Sequence, residues 1–137
     1  MSDPSEAAPA RRNLYTGSRY ERTYSYARAV VTGRHVRISG TTGYDYRADV
    51  LAEGAEAQSQ QIFRNVETIL AEVGGTLKHV VRARIYIARA EDYEAVMAAW
   101  AAAFRGIDPA CTTVQAGLFD PDIRVEMDWD ALLDDVA

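Results

Sequence analysis

The residue pattern predicts an α+β domain in which one mixed β-sheet carries two helices packed on one face. Three observations predict it: helical apolar spacing over two stretches, runs that alternate at period two, and glycine or proline between them. A chain of 137 residues suffices for one domain with a real hydrophobic core. Residues 1–12 are expected to be a flexible, polar N-terminal lead-in, and residues 13–137 a single domain with no internal repeat.

Two β-rich runs, Ser25 to Val31 and His35 to Ser39, flank Thr32-Gly33-Arg34, where Gly33 can take the positive φ of a tight hairpin turn. Gly40 to Arg47 then reads as a loop bearing Tyr44, Asp45 and Tyr46. The first helix spans about Ala55 to Val73, because Ile62, Val66, Ile69, Leu70 and Val73 fall on one stripe. Gly74-Gly75 ends it, and Thr76 caps a short turn. From Val80 to Ala88, Val81, Ala83, Ile85 and Ile87 are expected on one face, with Arg82, Arg84 and Tyr86 on the other. The second helix, Asp92 to Phe104, sets Tyr93, Val96, Met97, Trp100 and Phe104 on one side, and Gly106 and Pro109 stop it. Strands over Thr112 to Leu118 and Ile123 to Asp130 complete the sheet. Its second face, bearing Arg82, Arg84, Tyr86, Glu126 and Asp128, then meets either water or another subunit.

Composition narrows the partners. Hydrophobic residues at 48% and charged residues at 26% are ordinary for a globular protein. A net charge of −5 opposes non-specific attraction to nucleic acid or to an anionic membrane, so neither is an expected partner. No run approaches the ~18 apolar residues of a membrane span. Cys111 is the lone cysteine, which points to a reducing compartment and a cytoplasmic address. Phosphate loops, paired CxxC, HExxH and Gly-x-Ser-x-Gly motifs are lacking, and no metal or organic cofactor is expected.

Several strings in the same order resemble the RidA/YjgF family, also described as endoribonuclease L-PSP-like. They are Ser39-Gly40, Gln58 to Leu70 (QSQQIFRNVETIL), Gly74 to Arg82 with Ile85-Tyr86, Asp92-Tyr93 with Phe104, Pro109 to Val114, and Val125 to Asp128. The resemblance covers roughly Tyr24 to Ala131. It implies a chorismate-mutase-like fold, a homotrimer, and clefts between subunits that bind a small molecule. Active members hydrolyse imines or enamines to a keto acid and ammonia without metal or organic cofactor. The resemblance assigns catalysis to Glu126 and substrate contacts to Tyr26, Ser39, Gly40, Thr41, Met97 and Cys111.

Three positions depart from the family. Its arginine after Pro-Ala, which grips a substrate carboxylate with two parallel hydrogen bonds, is Cys111 here. A thiol cannot replace that fork, and a carboxylate without its partner costs on the order of 2–5 kcal/mol. Cys111 as a nucleophile needs an activating base, and neither His35 nor His79 has a spacing that marks a pair, so a structural or pocket-lining thiol is the simpler reading. Met97 stands for a rim asparagine, and methionine on an amphipathic helix is ordinarily filler. In the family's PYSQA string the glutamine is Arg28, which reads as a displaced carboxylate grip or, more ordinarily, a solvent-facing arginine. Glu126, alternating with Val125 and Met127, is either the water-handling carboxylate or a strand acid paired with Arg82 or Arg84. Imine or enamine deamination on a substrate that does not need the arginine is the leading expectation. A non-enzymatic ligand-binding or protein-stabilising trimer is the alternative, with a nuclease or translation inhibitor disfavoured for want of a basic, aromatic-interleaved surface.

Overall fold

The computed structural model describes residues 10–135. In chain order it comprises β1 (Arg11–Leu14), α1 (Arg19–Tyr24), β2 (Ala29–Thr32), β3 (His35–Thr42), β4 (Tyr44–Asp45), β5 (Val50–Leu51), α2 (Ala55–Ala71), β6 (Val80–Ile87), α3 (Tyr93–Phe104), β7 (Ala110–Gln115) and β8 (Val125–Leu132). Six strands form one sheet in the order β1-β2-β3-β8-β6-β7, while β4 and β5 pair separately. Every neighbouring pair in the large sheet is antiparallel except β6 with β7. That parallel pair needs a crossover, which α3 supplies. The mixed sheet backed by two long helices agrees with the expected fold class.

Burial explains why the helices pack where they do. The stripe of α2, Ile62, Val66, Ile69 and Leu70, is buried, as are Val96, Trp100 and Phe104 of α3. They meet Ala83, Ile85, Val125, Met127 and Trp129 of the sheet. Phe63, Trp100, Phe104 and Trp129 form one aromatic cluster, with Trp100 and Phe104 stacked at 4.2 Å and Phe63 edge-on to Phe104 at 5.6 Å. Gly33 turns the β2–β3 hairpin at φ 60°, and Gly74 at φ 76° follows α2. Thr76 caps the turn before β6 together with His79 Nδ1, so His79 is a capping residue.

Several expectations need correction. Strand β1 begins at Arg11, inside the segment expected as lead-in; residues 1–9 of that segment lie outside the described residues. Ser25 is not in a strand: it ends α1 in the left-handed conformation, at φ 58°, and β2 starts at Ala29. Gly40 to Thr42 continue β3 past a bulge between Ile38 and Thr41 rather than opening a loop. A second irregularity, between Val80 and Arg82, turns Val80 inward and leaves Val81 46% exposed. Tyr93 is half exposed on α3. The seventh strand is Ala110–Gln115, not Thr112 to Leu118, and as an edge strand paired on one side only it buries none of its residues. The eighth is Val125–Leu132 rather than Ile123 to Asp130.

Candidate functional site

The face of the sheet opposite the two long helices carries the polar residues of β6 and β8. Val125 and Met127 point to the core, so Glu126 projects from the open face, with Tyr86 of β6 and Thr42 of β3 as its cross-strand neighbours. A cleft of about 720 Å³ opens there. Its floor includes Tyr26, Arg28, Gly40, Tyr86 and Glu126, and its walls are α1, the Tyr44–Asp49 segment and the Ala116–Asp120 segment.

Helix α2 holds two of these walls. Asn65 Nδ2 donates to the carbonyls of Tyr44 (2.7 Å) and Thr42 (3.2 Å), tying down the tyrosine segment. Buried Gln58 donates to the carbonyls of Ala52 and Asp122 and accepts from Arg124 N, anchoring the far end of the other wall. Tyr44 Oη donates to Asp120 Oδ2 at 3.4 Å, joining the walls to each other. The glutamine and asparagine of the QSQQIFRN string are therefore supports of the cleft, not contacts within it.

Glu126 occupies a tight position. A Cβ on Gly40 would stand 2.9 Å from its Oε2, so glycine at position 40 leaves the carboxylate its space. Burial pushes the Glu126 carboxyl above the usual carboxylate range, the negative charge of Asp128 adds to this, and Arg28 pulls the other way. Arg84 Nε is taken by Asp128 Oδ1 at 2.8 Å, and Tyr86 Oη donates to Asp128 Oδ2 at 2.8 Å. The ion-pair reading of this strand thus applies to Asp128, not to Glu126.

Arg28 is the residue the sequence reading placed least well. It is not solvent-facing but 3% exposed, beside a carboxylate, Glu21, that is 1% exposed. Its Nε and Nη2 donate to Glu21 Oε2 at 3.3 and 3.2 Å, and Nη1 donates to the Gly40 carbonyl at 2.6 Å. The guanidinium carbon lies 4.6 Å from the Tyr46 ring centre and 5.8 Å from that of Tyr26. Burial raises the Tyr26 phenol, with Arg28 opposing, so the hydroxyl stays protonated and available as a donor.

The expected contacts do not all come together. Tyr26, Gly40 and Glu126 come together in the cleft. Ser39 spends its hydroxyl on the Ala27 carbonyl at 2.7 Å and lines a neighbouring hollow rather than the main cleft. Thr41 is 1% exposed, opposite Met127 on the core side, and donates to the Ser39 carbonyl, so it sits at the bulge and does not line the cleft. Met97 and Cys111 meet each other through Thr113, whose Oγ1 is 3.7 Å from Met97 Sδ and 3.8 Å from Cys111 Sγ. That cluster lies beside Ala83 and Ile85, on the helix side of the edge strand and away from Glu126. Tyr44 and Tyr46 wall the cleft, whereas Asp45 accepts from the amides of Arg47 and Ala48 as a turn residue. Residues not anticipated are Arg19, Tyr20, Tyr86 and Phe119. Only Tyr86 had a usable signal, since it alternates onto the same face as Glu126.

Among the described residues no helix is long and apolar enough to cross a membrane, and no group of three or more His, Cys, Asp or Glu is placed to hold a metal ion.

An open-faced mixed sheet, two helices behind it and a carboxylate-bearing cleft in front define a class. Residues 16–133 match the family model described as Endoribonuclease L-PSP, and the chain belongs to that family, in which the YjgF and RidA proteins fall. A YjgF-family protein from Mycobacterium tuberculosis is 33% identical with a TM-score of 0.82, over 90% of this chain and 100% of that one. A YjgF-family protein from Neisseria meningitidis is 27% identical with a TM-score of 0.78, over 93% of this chain and 98% of that one. RidA from the Antarctic bacterium Psychrobacter is 28% identical with a TM-score of 0.76, over 92% and 94%.

Proposed function

We propose that the chain hydrolyses a small imine or enamine, with Glu126 handling the water. The carrying observation is a carboxylate on a buried strand floor, not consumed by the neighbouring arginine and facing a cleft of small-molecule size. Family membership supports a small-molecule-binding or deaminase-like role in general; the residue assignment is ours. Ionised Glu126 takes a proton as water adds to the C=N carbon. The same proton passes to nitrogen to give the carbinolamine; Glu126 then takes the proton of the new hydroxyl and delivers it to nitrogen as the C–N bond breaks, so imine plus water becomes carbonyl compound plus ammonia. An enamine first takes a proton on carbon to become the imine. These are proton transfers and an addition, which neither a metal nor an organic cofactor is required to drive.

The reading includes a homotrimer with the site completed between subunits. In one chain Cys111 and Met97 stand on the helix side of the edge strand, while Glu126 stands on the open face, and this separation supports a site in which a second copy brings the two together. Cys111 in place of the family arginine favours one rival, a trimer that binds ligand without turning it over. The discriminating experiment generates imines in situ with an amino-acid oxidase and follows their interception by semicarbazide. A catalyst diverts imine to keto acid and lowers semicarbazone yield in proportion to protein added; a binding-only trimer leaves that yield unchanged.

A further inference from the structure

We propose that the cleft is specific for a planar, aromatic or conjugated carboxylate, and that Arg28 is the residue that anchors it. This rests on Glu126 being the reacting carboxylate, but names what the site takes.

The anchor is already built. A guanidinium has five N–H donors in a rigid fork. Glu21 and the Gly40 carbonyl engage three of those of Arg28, leaving two without a partner among the described residues. Glu21 is itself held in place, its carboxylate accepting from Thr16 N at 2.9 Å and Thr16 Oγ1 at 2.5 Å. Glu21 and Tyr46 thus fix the guanidinium in position and orientation before any ligand arrives. A buried, oriented guanidinium with two N–H groups to spare on a cleft floor is suited to an anionic oxygen pair.

Its location suits the chemistry as well as the charge. Gly40 links the two functional groups: its carbonyl accepts from Arg28, and the space a Cβ would fill is bounded by Glu126 Oε2. A carboxylate on Arg28 therefore brings its adjacent carbon toward Glu126.

The rest of the ligand is indicated by the rings. Tyr20, Tyr44, Tyr86 and Phe119 surround the cleft beyond Arg28, and Phe119 at its mouth is fully exposed. A conjugated body covers these rings, whereas a short aliphatic imino acid leaves them in water.

The test measures binding apart from turnover, by titration calorimetry of the full chain with benzoate, benzamide and propionate. Benzoate is expected to bind at least tenfold tighter than either of the others. Arg28→Lys keeps a charge beside Glu21 but loses the fork, and should cost benzoate about tenfold. Glu21→Gln with Arg28→Gln removes the buried pair together, avoiding a stranded charge, and should erase the preference for benzoate over benzamide. The inference is overturned if benzoate and benzamide bind equally to the wild type, or if benzoate keeps its full advantage in Arg28→Lys. Benzoate binding as expected without imine turnover would sink the hydrolase reading and leave the ligand class standing. Turnover of imines with no carboxylate preference would do the reverse.

Discussion

Replacing Gly40 by alanine separates the site from the scaffold. The new Cβ would lie 2.9 Å from Glu126 Oε2 and 3.1 Å from its Cδ. To restore an ordinary contact of 3.4 Å or more, the carboxylate retreats by about half an ångström. The end of a glutamate side chain moves cheaply, and alanine in an extended strand restrains the unfolded chain by about 0.4–1 kcal/mol. Stability should therefore change by no more than about 1 kcal/mol, or a few degrees in Tm. Catalysis is less tolerant: a misplacement of 1 Å costs about 100-fold, so half that distance should lower kcat/KM by roughly tenfold or more. Gly43→Ala is the contrast, since its Cβ would meet Gln58 Cα and Cβ at 2.6 Å, a backbone contact with no cheap escape. It should cost about 1–3 kcal/mol and loosen the wall that Gln58 anchors. Thermal melts and the semicarbazide competition assay, run on both variants, read the two effects. Gly40→Ala with wild-type turnover would refute the placement of Glu126 at the reacting atoms.

Three other outcomes are expected. Cys111→Arg should raise turnover of 2-iminopropionate by about tenfold through a regained charged contact of ~1.5–3 kcal/mol, and adding Glu126→Gln should abolish the gain in the same assay. Because the Glu126 carboxyl is held above its ordinary range, the folded state binds that proton more tightly than the unfolded chain, so ionisation costs stability as pH rises through the folded value. Glu126→Gln should then melt higher than wild type at pH 7, with the difference fading below about pH 4. Sedimentation equilibrium at micromolar concentration should give three times the 15.1 kDa chain mass, and a monomer would remove the inter-subunit site.

The parts of the fold legible in the sequence are those whose pattern is local and repeated. The stripe from Ile62 to Leu70 spans more than two turns, and Glu126 alternates between two fully buried residues, so helix α2 and the face of Glu126 could be read directly. Helix α1 is six residues long, and its Tyr20 and Tyr24 are exposed, so no apolar stripe announces it. Its signals are the Ser18 cap and the left-handed Ser25, which resemble any serine-rich turn. Bulges at Ser39–Gly40 and near Val81 shift the side-chain period by one residue, which a strict alternation rule assigns to the wrong face. Arg28 was misplaced because its burial depends on Glu21, a partner seven residues away across a helix whose existence was not visible. The departure at Cys111 was legible, but its separation from Glu126 within one chain depends on which side of the edge strand faces the helices.

The central claim is that Glu126 moves the proton of the attacking water, and turnover of one imine by wild type and by Glu126→Gln tests it most directly. Glutamine keeps the shape and the hydrogen-bonding reach but cannot take a proton. With both proteins folded and of equal oligomeric mass, and benzoate binding intact, the account predicts that the variant loses 100-fold or more of kcat, within the ~10²–10⁴-fold that general base catalysis contributes. Equal rates in the two proteins would contradict it.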